Sequence, residues 1–230
     1  GIAEKAWTKK RKKIIVKSRV LTSRLLHSKI STLNLNISAF ISASAVGIYG
    51  AQVSDKIFTE EDQAFEDFMG NCCKQWENAV DQFKPITRTV KFRLGVILDE
   101  NHGALPRITN MVKNSLGSPL GDGKQYMPWI HIADAVNLFF EAILKKNISG
   151  TFNAVSGDFI NNRNLIMKIG EELNKKIWLP NVPSFVLKFL YGEMSDTILK
   201  GVKVSNKKIK ATGFKFKYEK IENALREIYS

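Results

Sequence analysis

Histidine, cysteine and proline are scarce in this 230-residue chain, with three, two and six copies. His27, His102 and His131 show no metal-type spacing, which argues against a zinc centre. The two cysteines, Cys72 and Cys73, are neighbours in the chain. Vicinal cysteines rarely bridge each other, so a disulfide-stapled secreted fold is disfavoured and a reducing, cytoplasmic setting is expected. No apolar run approaches the roughly 18 residues that a membrane helix needs. The longest mild stretch, 40–51, is interrupted by serine and glycine. The first 13 residues end in a Lys/Arg cluster with no apolar segment and cleavage site behind it, unlike a secretory signal. Motifs are missing as well. Without a G-x-S-x-G elbow a hydrolase triad is not expected. Neither a P-loop nor a G-x-G-x-x-G loop is present.

What is present describes a folded protein. Hydrophobic residues make up 44% and charged residues 25%, enough for a real core and against disorder. The net charge is +13 and it is uneven. Residues 1–29 carry +9 and residues 200–230 carry +6, while the body between them carries −2. Two basic ends of this kind attract anionic partners. No aromatic interleaving or nucleic-acid motif accompanies them, so they read as solvated helix faces and nucleic acid is not the expected partner.

Periodicity divides the chain into alternating elements. A helix is expected over 8–30, capped by Thr8, with Trp7, Ile14, Leu21 and Leu25 on one face. Its first turn holds the Lys9 to Lys13 cluster, which the helix dipole disfavours. Strands are expected over 36–42, 87–98 and 151–155, and helices over 65–82, 132–146 and 162–174. In the second strand Val90, Phe92, Leu94 and Val96 share a face, and Lys91 and Arg93 point the other way. Pro180 and Pro183 mark a linker. Short helices follow near 184–191 and 194–200, then a basic segment to 217 and a terminal helix from Tyr218. Strands alternating with helices indicate an α/β fold with a parallel sheet.

Parallel sheets bind ligands at the carboxyl ends of their strands. Two such ends stand out. Ser42-Ala43-Ser44 combines small residues with hydroxyls able to meet a substrate oxygen. Arg93-Leu94-Gly95 ends in a glycine that permits close approach. Gly117, Gly121 and Gly123 read as a plain connection. His131 reads as a hydrogen-bonding residue at a strand–helix junction, Asp134 as a helix cap and Trp129 as core.

Several longer stretches add a second kind of evidence. They are residues 1–8, Ser18-Arg19, Thr22 to Leu26, Phe40 to Gly50, Trp76-Glu77, Arg93 to Leu98, Gly103 to Pro106, Gly117 to Asp134, Gly192 to Met194 and Ala211 to Tyr218. On these the chain resembles the atypical extended short-chain dehydrogenase/reductases, the NAD(P)-dependent epimerase family with a C-terminal domain of unknown function of the DUF1731 type. The most specific piece is Pro119 to Asp134. The resemblance implies a Rossmann-type parallel sheet that is N-terminally incomplete, with a smaller substrate lobe. It divides the chain into 1–178, the rest of the dinucleotide domain, and 179–230, a small and mostly helical unit. The family's Gly-rich loop would precede Gly1 by a stretch of about 70 residues, the size of two β-α units.

The same resemblance implies the site. Gly1, Ser18, Ser42, Ala43, Ser44, Arg93, Leu94, Gly95 and Val96 would line the nicotinamide half of a cofactor, NADP(H) ahead of NAD(H). Pro119, Leu120, Gln125, Met127, Trp129 and His131 would face a small-molecule substrate. Ser44 matches the family's active-site serine. The usual Tyr-x-x-x-Lys pair, in which the ammonium lowers the phenol pKa, is absent at every tyrosine. Counting back from Glu77, its positions fall at about Met69 and Cys73, a loss the atypical family shares. Tyr49 is the substitute candidate. The resemblance implies an oxidoreductase or nucleotide-sugar-epimerase-like protein of unknown substrate. The alternative is a non-catalytic NADP(H)-binding regulator. No metal is expected, nor a membrane partner, and a homodimer is.

Overall fold

The computed structural model describes residues 7–230. Its centre is a three-stranded parallel sheet in the order β1 (Ala39–Ala45), β3 (Arg88–Leu94), β6 (Gly150–Ala154). The register aligns Ser42, Lys91 and Thr151 in one row, and Ser44, Arg93 and Asn153 in another. Alternation puts the two faces to different uses. Val90, Phe92, Phe152 and Ala154 pack beneath α4 (Ile132–Leu144), against Ala135, Leu138 and Ala142. Lys91 and Arg93 face α2 (Phe68–Asp81), where Glu77 meets them. Both cations are buried, so this second face is a charged interior rather than a solvated surface.

The helix expected at the start is α1 (Lys9–Thr32), and Thr8 caps it by accepting from Arg11 N at 3.1 Å. The shared apolar face is largely uncovered. Ile14, Leu21 and Leu25 are exposed, and Ile15, Val20 and Ser23 are buried instead. Arg19 lies over the ring of Trp76 on α2 at 5.4 Å. Lys12 pairs with Glu193, far along the chain, and sits over the ring of Phe68 at 4.9 Å. These tertiary partners offset the unfavourable dipole of a basic first turn.

The strand expected over 87–98 is cut in two. Gly95 N still bonds Ala154 O, but Val96 N bonds Pro128 O. The chain thus leaves β6 and, as β4 (Val96–Leu98), pairs with β5 (Trp129–His131). The switch requires a glycine, because a Cβ at position 95 would lie 2.6 Å from Pro128 O. The first strand also lies three residues later than expected, at 39–45.

A third sheet went unforeseen: β2 (Val53–Phe58) runs parallel to β7 (Gly201–Val204). β7 lies within the segment read as merely basic. Three further strands or α-helices were not expected from the sequence, β5, α3 (Leu105–Lys113) and α8 (Lys207–Ala211). The chain from Asn162 on forms α5 (Asn162–Glu172), α6 (Ser184–Tyr191), α7 (Asp196–Leu199), α8 (Lys207–Ala211) and α9 (Ile221–Tyr229). α9 buries Ile221, Ala224, Leu225 and Ile228 in one core with Leu98, Trp129, Leu165 and Ile169. Asp134, fully buried in the first turn of α4, accepts from Lys217 N at 2.8 Å and Tyr218 N at 2.9 Å. No helix among the described residues is long and apolar enough to cross a membrane.

Candidate active site at the strand ends

Strand β1 ends at Ala45 and enters a single 3-10 turn, Val46–Tyr49. Helix α2 approaches this turn from the side. Asp67 caps it, accepting from Gly70 N at 2.7 Å. Residues four apart share a helix face, so Met69, Cys73 and Glu77 form one stripe toward the sheet. Met69 and Cys73 meet the turn at Gly47, whose Cβ position lies 2.7 Å from Met69 Cε and 3.8 Å from Cys73 Sγ. An apolar thioether and a thiol therefore stand beside the β1 end, at the two positions to which the resemblance assigned the lost tyrosine and lysine.

One turn further along α2, the chemistry becomes ionic. Ser44 Oγ donates to Glu77 Oε1 at 2.7 Å. Arg93 clasps the same carboxylate with Nε to Oε1 at 2.8 Å and Nη2 to Oε2 at 3.0 Å. Lys91 Nζ lies 3.5 Å from Glu77 Oε2 and 2.8 Å from Asp81 Oδ1. Arg93 Nη1 donates to Tyr49 OH at 3.0 Å and to Glu60 O at 3.2 Å. The Tyr49 hydroxyl donates toward Asn153 Oδ1 at 2.6 Å and Thr59 O at 2.9 Å. Asn153 N in turn donates to Glu60 Oε1 at 2.6 Å.

Burial and charge set the protonation states. Burial opposes the charged form of Glu77, but the hydrogen bonds and charge of Arg93, with Ser44 and Lys91, outweigh it and hold the carboxyl below its ordinary value. Burial pushes the Tyr49 phenol up to about 12 against the pull of Arg93. Burial, helped by the nearby Cys72 and Glu77, pushes the Cys73 thiol up to about 12. So neither Tyr49 nor Cys73 is poised to give or take a proton near neutrality.

The expected site residues fall into distinct groups. Gly1 lies outside the described residues. Ser18 stands exposed on α1, its hydroxyl donating to Ile15 O at 3.0 Å, and no hydrogen bond joins it to the strand ends. Ser42, Ala43, Leu94, Gly95 and Val96 lie along β1, β3 and the start of β4 and are partly exposed, with Leu94 packed on the core beneath α4 and Val96 on the core around Trp129. Ser44 and Arg93 belong to the buried network instead, so the Arg93 guanidinium is fully engaged. Tyr49, the substitute candidate, is fully buried, and its hydroxyl joins the 3-10 turn to Asn153 on the sheet. Among the six substrate candidates, Pro119 is buried and Leu120 pairs with Val182. Trp129 is a fully buried core residue, and Met127 packs against the same core. His131 caps α4, accepting from Ala133 N at 3.2 Å, and packs on Tyr218. Gln125 borders an open cavity beside Gly201, and His131, whose Nε2 lies 2.8 Å from Glu227 Oε2, borders another.

Glu77, Asn153 and Glu60 were not foreseen as site residues. Glu77 carried a signal: two cations on one face of a strand whose other face is core require a buried anion, and Glu77 follows Cys73 by one helical turn. Asn153 and Glu60 left no local signal, because their partners are far away in sequence. Among the described residues no group of three histidine, cysteine, aspartate or glutamate side chains is arranged to hold a metal ion.

The profile of a domain of unknown function, DUF1731, matches residues 182–228. The chloroplastic epimerase family protein SDR39U1 homolog of Arabidopsis thaliana is 33% identical over 224 residues, covering 96% of this chain and 64% of its own length. The epimerase family protein YfhF of Bacillus subtilis is 35% identical over 224 residues, covering 96% of this chain and 73% of its own. The crystal structure of human epimerase family protein SDR39U1 (isoform 2) with NADPH superposes with a TM-score of 0.92 at 28% identity, over 100% of this chain and 78% of that one. A nucleoside-diphosphate sugar epimerase from Corynebacterium glutamicum superposes at 0.77 with 26% identity, over 98% and 44%. The sheet is thus of Rossmann type, and the chain belongs to the epimerase family of extended short-chain dehydrogenase/reductases.

Proposed function

We propose that this protein is an NAD(P)(H)-dependent oxidoreductase or epimerase-like enzyme acting on a small molecule, with NADP(H) ahead of NAD(H). The observation that carries the reading is the partly open row of small and apolar residues at the ends of β1 and β3, in a chain whose human relative was solved with NADPH. Ser42, Ala43, Leu94, Gly95 and Val96 offer a surface suited to a flat, uncharged nicotinamide ring. They offer no cation to a pyrophosphate, since Arg93 is spent on Glu77. Gly1 and Ser18 join this cofactor group by resemblance alone. A bound nicotinamide would supply or accept hydride. Glu77 would fix Ser44 and Arg93, and so the two strand ends, in place. The proposed division keeps 1–178 as dinucleotide domain and 179–230 as a helical unit that closes over the substrate side. The exposed Ile14, Leu21 and Leu25 on α1 support self-association into a homodimer.

A second reading is a non-catalytic NADP(H)-binding regulator, and one specific observation favours it. Met69 and Cys73 stand where a proton-donating pair would act, and the Tyr49 phenol is sealed. A fluorescence titration with NADPH and NADH, followed by turnover assays over carbonyl, quinone and sugar-nucleotide panels, separates the two. Micromolar binding with turnover supports the enzyme. The same binding without turnover on any panel favours the regulator. No binding of either dinucleotide removes both.

A further inference from the structure

In helix α6 only Ser184, Lys188 and the Tyr191 hydroxyl are polar, yet only Leu187 is buried. The residues two before and two after Leu187 lie about 160° round the helix from it. Phe185 and Phe189 hold those places and are 72% and 89% exposed, and Leu190 follows at 60%. An amphipathic helix turns its apolar stripe to the core and its polar side to water, and α6 leaves both of its phenylalanines in solvent. Single exposed apolar side chains are ordinary, but three large ones on a two-turn helix mark an interaction surface.

The surroundings of this helix are basic. Just past its C-terminal end, Glu193 pairs with Lys12 at 2.5 Å, which sets the start of α1 beside the end of α6. Lys9, Lys10 and Lys13 of that start are exposed, as is Lys188 of α6 itself. No ion pair among the described residues engages any of these four, whereas Lys12 has Glu193. Cations at a helix start oppose the helix dipole, so an anion outside the molecule would supply what the fold does not. A soluble polyanion would neutralise the lysines and leave Phe185, Phe189 and Leu190 in water. A lipid bilayer meets both needs: aromatic and aliphatic side chains enter the boundary between headgroups and acyl chains, and ammonium groups meet anionic headgroups.

We propose that α6 and the start of α1 form a surface that docks on an anionic lipid bilayer, with Phe185, Phe189 and Leu190 entering the interface and Lys9, Lys10, Lys13 and Lys188 meeting the headgroups. Such a helix lies on a bilayer without crossing it, so the surface needs no long apolar helix of the kind that the described residues lack. It stands apart from the dinucleotide reading, since no residue of the strand ends takes part.

Co-sedimentation of the full chain with phosphatidylcholine vesicles, with and without about 30% phosphatidylglycerol, tests it. The wild type is expected to pellet with the anionic vesicles, to stay in solution with the neutral ones, and to bind less as salt rises from about 0.1 M to about 1 M. Phe185→Ser combined with Phe189→Ser removes the rings and keeps the charge. It is expected to weaken binding about tenfold or more, and to melt with the wild type because both positions are exposed. Lys9→Gln, Lys10→Gln and Lys13→Gln together are expected to weaken binding about a hundredfold, about fivefold for each lysine, and they keep the test alive if the serine variant fails to fold. A wild type absent from the anionic pellet overturns the proposal. So does undiminished binding by the serine variant, which would reduce the effect to adsorption of a basic protein. Sedimentation velocity without lipid covers the other occupant of this face: a wild-type dimer that the serine variant splits assigns the face to a second copy and overturns the bilayer reading.

Discussion

Glu77 on α2 and Arg93 on β3 meet in a two-bond ion pair whose side chains are 7% and 8% exposed. The pair joins the helix to the sheet directly behind the strand ends. Breaking a buried pair from one side strands the other charge, at a cost of about 3–5 kcal/mol. Arg93→Met is therefore expected to lose stability on that scale in urea denaturation. Arg93→Lys is also expected to be destabilising, because an ammonium cannot reproduce the two-pronged contact. A loss below about 1 kcal/mol for Arg93→Met would show that the pair is screened like a surface bridge.

The same carboxyl predicts the acid response. Glu77 is held below its ordinary value, so it adds stability above the unfolded pKa of about 4.3 and loses it as pH falls through the lower folded value. Stability of the wild type is expected to drop on acidification through that range. Glu77→Gln should be less stable at pH 7 and show a flatter acid limb. Parallel limbs in the two proteins would place the acid sensitivity elsewhere.

Tyr49 is sealed at the sheet–turn junction and bonded on several sides. Tyr49→Phe is expected to cost about 1–3 kcal/mol by leaving buried partners unpaired. Turnover per folded molecule should stay unchanged, and the wild-type phenol should resist ionisation until about pH 12 in an ultraviolet titration. A fall in kcat of about 100-fold, the scale of a lost general acid, with an unchanged melting temperature would return Tyr49 to the chemistry.

Cys72 and Cys73 are both buried, and burial raises both thiols above their ordinary value. The thiolate is the reactive species. Both cysteines are expected to react with a disulfide reagent at pH 8 only as fast as the protein opens, and at ordinary thiol rates in denaturant. Rapid labelling of one native thiol would contradict the placement of α2 against the β1 turn.

Asp134 holds Lys217 N and Tyr218 N with its two oxygens from a fully buried position. Asp134→Ala leaves both donors unpaired, at about 1–3 kcal/mol each. Hydrogen exchange is expected to quicken selectively at residues 214–229, ahead of β3. Uniform quickening would mean that this segment unfolds only with the whole chain.

Much of the architecture was legible because it is locally periodic. The helices α1, α2, α4, α5 and α6, and the strands β3 and β6, follow from apolar spacing, and α1 also from its Thr8 cap. The family followed from stretches spread along the chain, Pro119 to Asp134 the most specific among them. The strands β2 and β7 were not legible. Val53–Phe58 and Gly201–Val204 are short, carry charged residues and pair only with each other across the chain. The exposed stripe of α1 shows the same limit: its apolar spacing marks a face, but which face is covered depends on where α2 lies.

The sequence by itself determined the α/β class, the parallel sheet, the loss of the Tyr-x-x-x-Lys pair and the candidate strand ends, since each is written in neighbouring residues. Only the tertiary structure decided what those residues do. It turned Lys91 and Arg93 inward onto Glu77, sealed Tyr49, and committed Trp129 to the core and His131 to capping α4. The reason is physical: a side chain's chemistry is set by its desolvation and by its partners, and those partners come from 16 to more than 100 positions away.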